Sequence, residues 1–192
     1  MHFVVFDIET ISPSAVRGRI NADEQELTVV GVYDSATDSY ASYTKEELGQ
    51  LWPILERTDL LIGFNSDSFD IPILNRYYPG DLAKIRSLDL LTEVHKSLGR
   101  RIRLDSLAQA TLGRGKSGHG LDAQHWWAKG EIDKVRAYCL DDVRLTKELY
   151  DYMREKQSVK YKDLSTVREL KIDTAGWDAA SESPSLTHAL LL

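Results

Sequence analysis

Asp7 and Glu9 close the first apolar run of the chain, Phe3-Val4-Val5-Phe6-Asp7-Ile8-Glu9-Thr10. Alternate residues of a strand point the same way, so the two carboxylates project from one face. Two like charges side by side in a buried strand are costly, and each raises the other's pKa. A cation between them removes that penalty. Hard divalent cations, Mg²⁺ above all, take oxygen ligands of this kind. The pair therefore reads as part of a metal site.

Two further carboxylates fit the same site. Asp70 ends the segment Gly63-Phe64-Asn65-Ser66-Asp67-Ser68-Phe69-Asp70, after the strand candidate Leu60-Leu61-Ile62. Asp142 lies in a long helical pattern in which Val135, Tyr138, Asp142, Leu145 and Leu149 share one stripe. A carboxylate on a core-facing stripe needs a partner. Asp141, about 100° round the helix, can sit in water. The site residue is therefore Asp142 rather than Asp141.

This set resembles the DEDD superfamily of 3′–5′ exonucleases, and its tyrosine subclass in particular, as in the proofreading domain of family B DNA polymerases. The first motif, Asp-x-Glu, is Asp7-Ile8-Glu9. The second, Asn-x-x-x-Phe-Asp, runs from Asn65 to Asp70, and the third, Tyr-x-x-x-Asp, from Tyr138 to Asp142. The histidine subclass requires His five residues before the last Asp, where this chain has Ala137. Three motifs in order, each in its expected strand or helix context, make a specific signal. The resemblance covers residues 1–157 and implies a stand-alone exonuclease domain, with residues 158–192 left for a C-terminal hairpin and tail.

The resemblance implies two divalent ions, Mg²⁺ or Mn²⁺, and hydrolysis of single-stranded DNA or RNA from the 3′ end. Asp7, Glu9 and Asp142 would hold the ion that binds the attacking water. Asp7 would bridge to a second ion, held largely through water by Asp70. The Tyr138 hydroxyl would orient the nucleophilic water, one helical turn before Asp142. Thr10, Asn65 and Phe69 would serve substrate handling. For Phe69 the competing role is core packing, and for Asn65 it is capping the next helix.

Composition bounds the remaining choices. The chain has 192 residues, 42% hydrophobic and 28% charged, enough for one domain with a sizeable core and a short appendage. No stretch is apolar enough to span a bilayer. A signal-peptide pattern is absent and Cys139 is the single cysteine, so the expected compartment is the cytoplasm. A net charge of −6 argues against broad non-specific nucleic-acid binding. Locally, Lys96, Arg100, Arg101, Arg103, Arg114 and Lys116 stand against Asp105 alone. That stretch reads either as a phosphate-facing patch or as a solvated face; as a patch it assigns Arg100, Arg101 and Arg103 to substrate.

The elements that must position these groups follow from pattern. Strands are expected at residues 2–7, 27–33, 39–43 and 59–63, with an irregular connection over 12–26. Thr44 and Glu47 form a capping box for a helix to about Arg57, with Leu48, Leu51, Trp52 and Leu55 inward. A helix from Asp67 or Ser68 to Tyr78 follows, with Pro72 in its first turn. Residues 85–89 read as a short strand or a helix start. Helices at 90–98, 104–112, 121–129 and 131–156 complete the domain, and strands 159–162 and 167–172 form a hairpin. The tail from Thr174 is expected to be poorly ordered or docked on a protein partner. Early strands followed by strand–helix alternation give an α/β fold. The resemblance makes it ribonuclease H-like, a mixed five-stranded sheet with helices on both faces.

Weaker candidates remain. His119 sits in a glycine-rich loop. His125, Trp126 and Trp127 form either a stacking surface for single strands or a cover for the core. Gly113-Arg114-Gly115-Lys116-Ser117 lacks the glycine spacing of a phosphate loop. A haloacid dehalogenase-type phosphatase matches Phe6-Asp7-Ile8-Glu9-Thr10 but wants Asp at position 9 and its acidic pair near a strand end. A non-catalytic nucleic-acid-binding module is the third class.

Overall fold

The computed structural model describes residues 1–12, 24–116 and 120–178. Five strands form one sheet in the order β3-β2-β1-β4-β5. They are β1 (Phe3–Ile11), β2 (Glu26–Asp34), β3 (Ser39–Thr44), β4 (Leu60–Gly63) and β5 (Ser87–Asp89). The first three strands run antiparallel, whereas β1, β4 and β5 are parallel neighbours. The α/β class and mixed five-stranded sheet are therefore as expected.

Alternation along β1 sorts the core into two layers. Val4, Phe6 and Ile8 pack with Leu48, Leu51 and Leu55 of α1 (Leu48–Leu55) and Ile71, Ile73 and Leu74 of α2 (Asp70–Asn75). Val5 packs on the other face with α3 (Leu90–Leu98), α4 (Leu104–Leu112) and the long α6 (Ile132–Lys156). Val4, Val5 and Ile62 are fully buried, each contributing about 1.5–3 kcal/mol. Asp7 and Glu9 fall on the α6 side, so the sheet presents its carboxylates to the helix carrying Tyr138 and Asp142. The shorter α5 (Gly120–Ala128) packs on α6.

The expected capping interaction at Thr44 is present: its N–H donates to Glu47 Oε2 at 2.8 Å. A short 3-10 turn, Lys45–Glu47, precedes α1, which ends at Leu55, two residues short of expectation. The next helix departs further, since α2 spans only Asp70–Asn75. Asn65 adopts a left-handed conformation, φ 69°. The Asp89 carboxylate accepts from the N–H groups of Asn65 and Asp67, at 2.8 and 3.3 Å. Those bonds hold residues 65–67 as a turn and delay the helix. Asp89 also caps α3, accepting from Leu91 N at 2.9 Å, which settles residues 87–89 as a strand followed at once by a helix.

The hairpin forms from β6 (Ser158–Asp163) and β7 (Thr166–Lys171). Val159, Ile172 and Trp177 enter the α6-side core. Trp177 is 4% exposed and stacks on Tyr150 at 5.8 Å between centroids. Residues 174–178 therefore fold back on the chain itself, contrary to the expected loose tail, because the Trp177 ring finds an apolar seat. Residues 179–192, His119 and most of the 12–26 connection lie outside the described residues. Among the described residues, no helix is long and apolar enough to cross a membrane.

Candidate metal centre and active site

Strand β1 supplies the floor. Asp7 pairs with Gly31 and Glu9 with Val29, after which the register shifts so that Thr10 pairs with Leu27. Thr28, passed over in that pairing, donates its hydroxyl to Glu9 O at 2.8 Å. The bulge thus sits beside Glu9 and braces its backbone. The Thr10 hydroxyl is committed to Gln25 Oε1 at 3.1 Å.

Helix α6 supplies the opposite wall. The stripe read from the sequence is the buried stripe: Val135, Tyr138, Asp142, Leu145 and Leu149 are all buried. Asp142 is 2% exposed, while Asp141 turns outward to the Arg114 guanidinium, 3.9 Å away. The helix can come this close because Gly31, facing it from β2, has no side chain. A Cβ there would lie 2.9 Å from Cys139 Sγ and 3.0 Å from Val143 Cγ2. Cys139 Sγ in turn lies 3.4 Å from Asp7 O. A glycine within the β-rich run Leu27–Tyr33 is the one sequence signal for this approach.

One oxygen each from Asp7, Glu9 and Asp142 lies within 4.8 Å of the others. Asp70 stands beside that triplet but outside it. It begins α2, is 5% exposed, and accepts from Ile8 N at 3.1 Å, between the two carboxylates of β1. Burial, then Asp142, Asp70 and Glu9, hold the Asp7 carboxyl well above the ordinary range. Burial and then Asp142 push Glu9 up to about 8. Burial lifts Asp70 to about 7 against the lowering effect of the Ile8 N–H. Burial raises Asp142 too, opposed by a lysine.

That lysine is Lys116, which sequence proximity had grouped with an arginine patch. Its ammonium contacts Asp142 Oδ2 and lies 5.6 Å from the Tyr138 ring centroid. Burial pushes the Lys116 pKa down, but Asp142 and Asp7 more than offset it, and the group stays charged. Asp142 Oδ1 is buried and has no hydrogen-bond partner among the described residues. Burial and then Asp142 push the Tyr138 hydroxyl above its ordinary value, so it is protonated at neutral pH. Trp126 meets the Tyr138 ring edge-on at 6.1 Å. A groove of about 310 Å³ opens beside them, lined by Trp126, Lys134, Ala137, Tyr138, Asp141 and Arg144. Trp126 and Trp127 both pack against the α6 cluster, while His125 is exposed.

The other candidates separate. Asn65 Oδ1 accepts from the Arg101 guanidinium and from Ser68 Oγ, the latter at 2.8 Å. Phe69 packs on the α1–α2 core. Arg100 turns away to Asp163, 3.7 Å distant, and lies over the Tyr161 ring. Arg103 is exposed at the start of α4, and Arg114 pairs with Glu148 at 2.5 Å. The basic stretch is thus not one patch; Arg101 and Lys116 reach motif residues, whereas Arg100 and Arg114 pair elsewhere.

A family model described as RNase H superfamily matches residues 4–154. The chain belongs to the RNase H superfamily. As an RNase H superfamily member it is similar to DNA polymerase 1 of Aeropyrum pernix, 29% identical over 155 residues, or 66% of this chain and 15% of that protein. It also resembles a solved structure, the family B DNA polymerase of the hyperthermophilic archaeon Pyrobaculum calidifontis. That match has a TM-score of 0.62 at 18% identity, over 80% of this chain and 24% of the other. The chain thus spans under a quarter of either relative. The RNase H assignment agrees with the β3-β2-β1-β4-β5 sheet and with a cluster of acidic residues at the centre of the fold.

Proposed function

We propose that this chain is a metal-dependent 3′–5′ exonuclease of the DEDD tyrosine subclass, acting on single-stranded DNA or RNA. The observation that carries the reading is the convergence of Asp7, Glu9 and Asp142 within 4.8 Å, with Tyr138 one turn away on α6. The similarity to DNA polymerase 1 of Aeropyrum pernix supports it, together with the three motifs that resemble the DEDD exonucleases.

The donor set suits a hard divalent cation. All candidate ligands are carboxylate oxygens, and Asp142 Oδ1 is buried without a partner among the described residues. The raised carboxylate pKa values mark negative charge that the protein leaves only partly compensated. Asp7, Glu9 and Asp142 would hold one ion, and Asp7 with Asp70 a second. Bound Mg²⁺ or Mn²⁺ supplies Lewis-acid polarisation of the phosphate and a water of lowered pKa.

The chain's own groups do the rest. Tyr138 keeps its proton at neutral pH, so its hydroxyl positions the attacking water by hydrogen bonding and does not act as the base. Asn65 and Arg101, already in contact, offer a carboxamide and a guanidinium to the sugar–phosphate backbone. The Ile8 N–H fixes the Asp70 carboxylate. Substrate assignments for Thr10, Phe69, Arg100 and Arg103 are weaker, since these side chains have other engagements or lie off the motifs. A haloacid dehalogenase-type phosphatase finds no support, because Asp142 lies in the middle of α6 and not near a strand end.

The test is hydrolysis of labelled single-stranded DNA and RNA with Mg²⁺ or Mn²⁺, run beside a phosphomonoester. Release of mononucleotides from the 3′ end supports the reading. Release of phosphate from the monoester alone restores the phosphatase. Tight binding without hydrolysis points to the non-catalytic module.

A further inference from the structure

We infer that Lys116 is a built-in counter-cation of the carboxylate cluster, and that its ammonium competes with a divalent ion for the negative charge of Asp142. The inference rests on the metal-site reading above and adds a residue that the three motifs do not contain.

Lys116 reaches the cluster from outside the elements that build it. It follows α4, and its own backbone is pinned, with its N–H donating to Asp105 Oδ1 at 2.9 Å. A Cβ on the preceding Gly115 would overlap the same Asp105 oxygen and push it off the Lys116 N–H. The Gly115-Lys116 segment is thus moored to α4, and the side chain reaches α6. Its ammonium contacts Asp142 Oδ2, while Asp142 Oδ1 keeps no partner among the described residues. The lysine therefore compensates the cluster from one corner only. It is the basic group that acts on Asp7, Glu9, Asp70 and Asp142 alike.

A divalent ion gathered by Asp7, Glu9 and Asp142 takes charge from the same carboxylate. Two cations sharing one carboxylate repel strongly in a partly buried site. The ammonium has a place to retreat to, since the face of the Tyr138 ring lies 5.6 Å from it. The expected consequence is a trade: Lys116 stabilises the metal-free fold and weakens metal affinity. A purely structural ion pair would stabilise the fold and leave metal affinity unchanged or strengthen it.

Two measurements test this on the full chain stripped of metal. In the first, Mn²⁺ binding is followed calorimetrically for wild type, Lys116→Met and Lys116→Arg, with thermal unfolding of each metal-free protein. Lys116→Met should unfold at lower temperature yet bind Mn²⁺ about 10-fold more tightly, as expected for removing a competing charge, and Lys116→Arg should stay near wild type in both. The second needs no variant: pulse acylation of amines, read by mass spectrometry, should modify Lys116 faster when Mn²⁺ is present. Unchanged or weaker Mn²⁺ affinity in a folded Lys116→Met, or a Lys116 acylation rate that Mn²⁺ does not raise, overturns the inference and leaves the metal site standing. Absence of Mn²⁺ binding in wild type and variant alike removes the metal site itself, and the inference with it.

Discussion

Asp7 is the residue on which the proposed site turns. Its carboxylate lies within 4.8 Å of those of Glu9 and Asp142, and its Asn variant is nearly isosteric but carries no charge. Asp7→Asn should fold and, without metal, be at least as stable as wild type, since burial and then Asp142, Asp70 and Glu9 disfavour the charged carboxylate. It should also abolish nearly all metal-dependent hydrolysis. Tyr138 tests a different function. Tyr138→Phe keeps the contact with Trp126 and removes only the hydroxyl. Single-turnover rates at saturating Mg²⁺ should fall by roughly 10- to 1000-fold, the scale of one lost positioned contact, with metal affinity held. A Tyr138→Phe rate equal to wild type would make Tyr138 a packing residue. Asp7, Glu9 and Asp142 were legible because strand and helix periods fix which side chains share a face, and Asp70 because it ends the Asn65–Asp70 motif after a strand candidate. Lys116 and Arg101 were not, because their contacts join residues 26 and 36 positions apart, and proximity in sequence grouped them with arginines that point elsewhere.

At the scale of elements, the spacing between β1 and α6 sets the site. Gly31 permits that spacing, so Gly31→Ala forces a methyl group against Cys139 and Val143. Overpacking of this kind costs about 1–3 kcal/mol, readable as a lower denaturation midpoint. Metal affinity should fall with it, because Asp142 moves with the helix. If Gly31→Ala leaves both stability and metal affinity at wild-type values, the close approach has no functional consequence. The long, strongly patterned elements were readable in advance, α6 above all, because its buried stripe runs its full length. The start of α2 was not. Nothing local to residues 65–69 reveals that a carboxylate at position 89 will hold their N–H groups. Residues 87–89 were ambiguous for a related reason: three residues carry no period to distinguish strand from helix.

At the scale of the molecule, carboxylate crowding couples stability to pH. Glu9 is pushed up to about 8 from an ordinary 4.5, and Asp70 to about 7 from 3.8. Both raised values mean that the folded chain binds more protons than the unfolded chain across that window. Stability of the metal-stripped protein should therefore fall as pH rises from about 4 to about 8. Below the unfolded values the effect is absent, and above the folded values it is complete. Saturating Mn²⁺ should flatten the slope, because the ion replaces the protons. Denaturation midpoints across that range, with and without Mn²⁺, check this; a stripped protein whose stability rises through the window contradicts it.

The mixed sheet was expected from family resemblance, whereas the docking of Trp177 was not. A lone aromatic in an unpatterned tail gives no sign of the Tyr150 face that receives it.

The most direct test of the proposed activity is a single-turnover comparison of wild type and Asp7→Asn on a 5′-labelled single strand. With Mn²⁺, wild type should shorten the strand one nucleotide at a time from its 3′ end. That activity should stop with chelator, and Asp7→Asn should leave the strand intact while its metal-free form unfolds no earlier than wild type. Shortening by Asp7→Asn at the wild-type rate, or by wild type in chelator, would place the chemistry somewhere other than the carboxylate cluster.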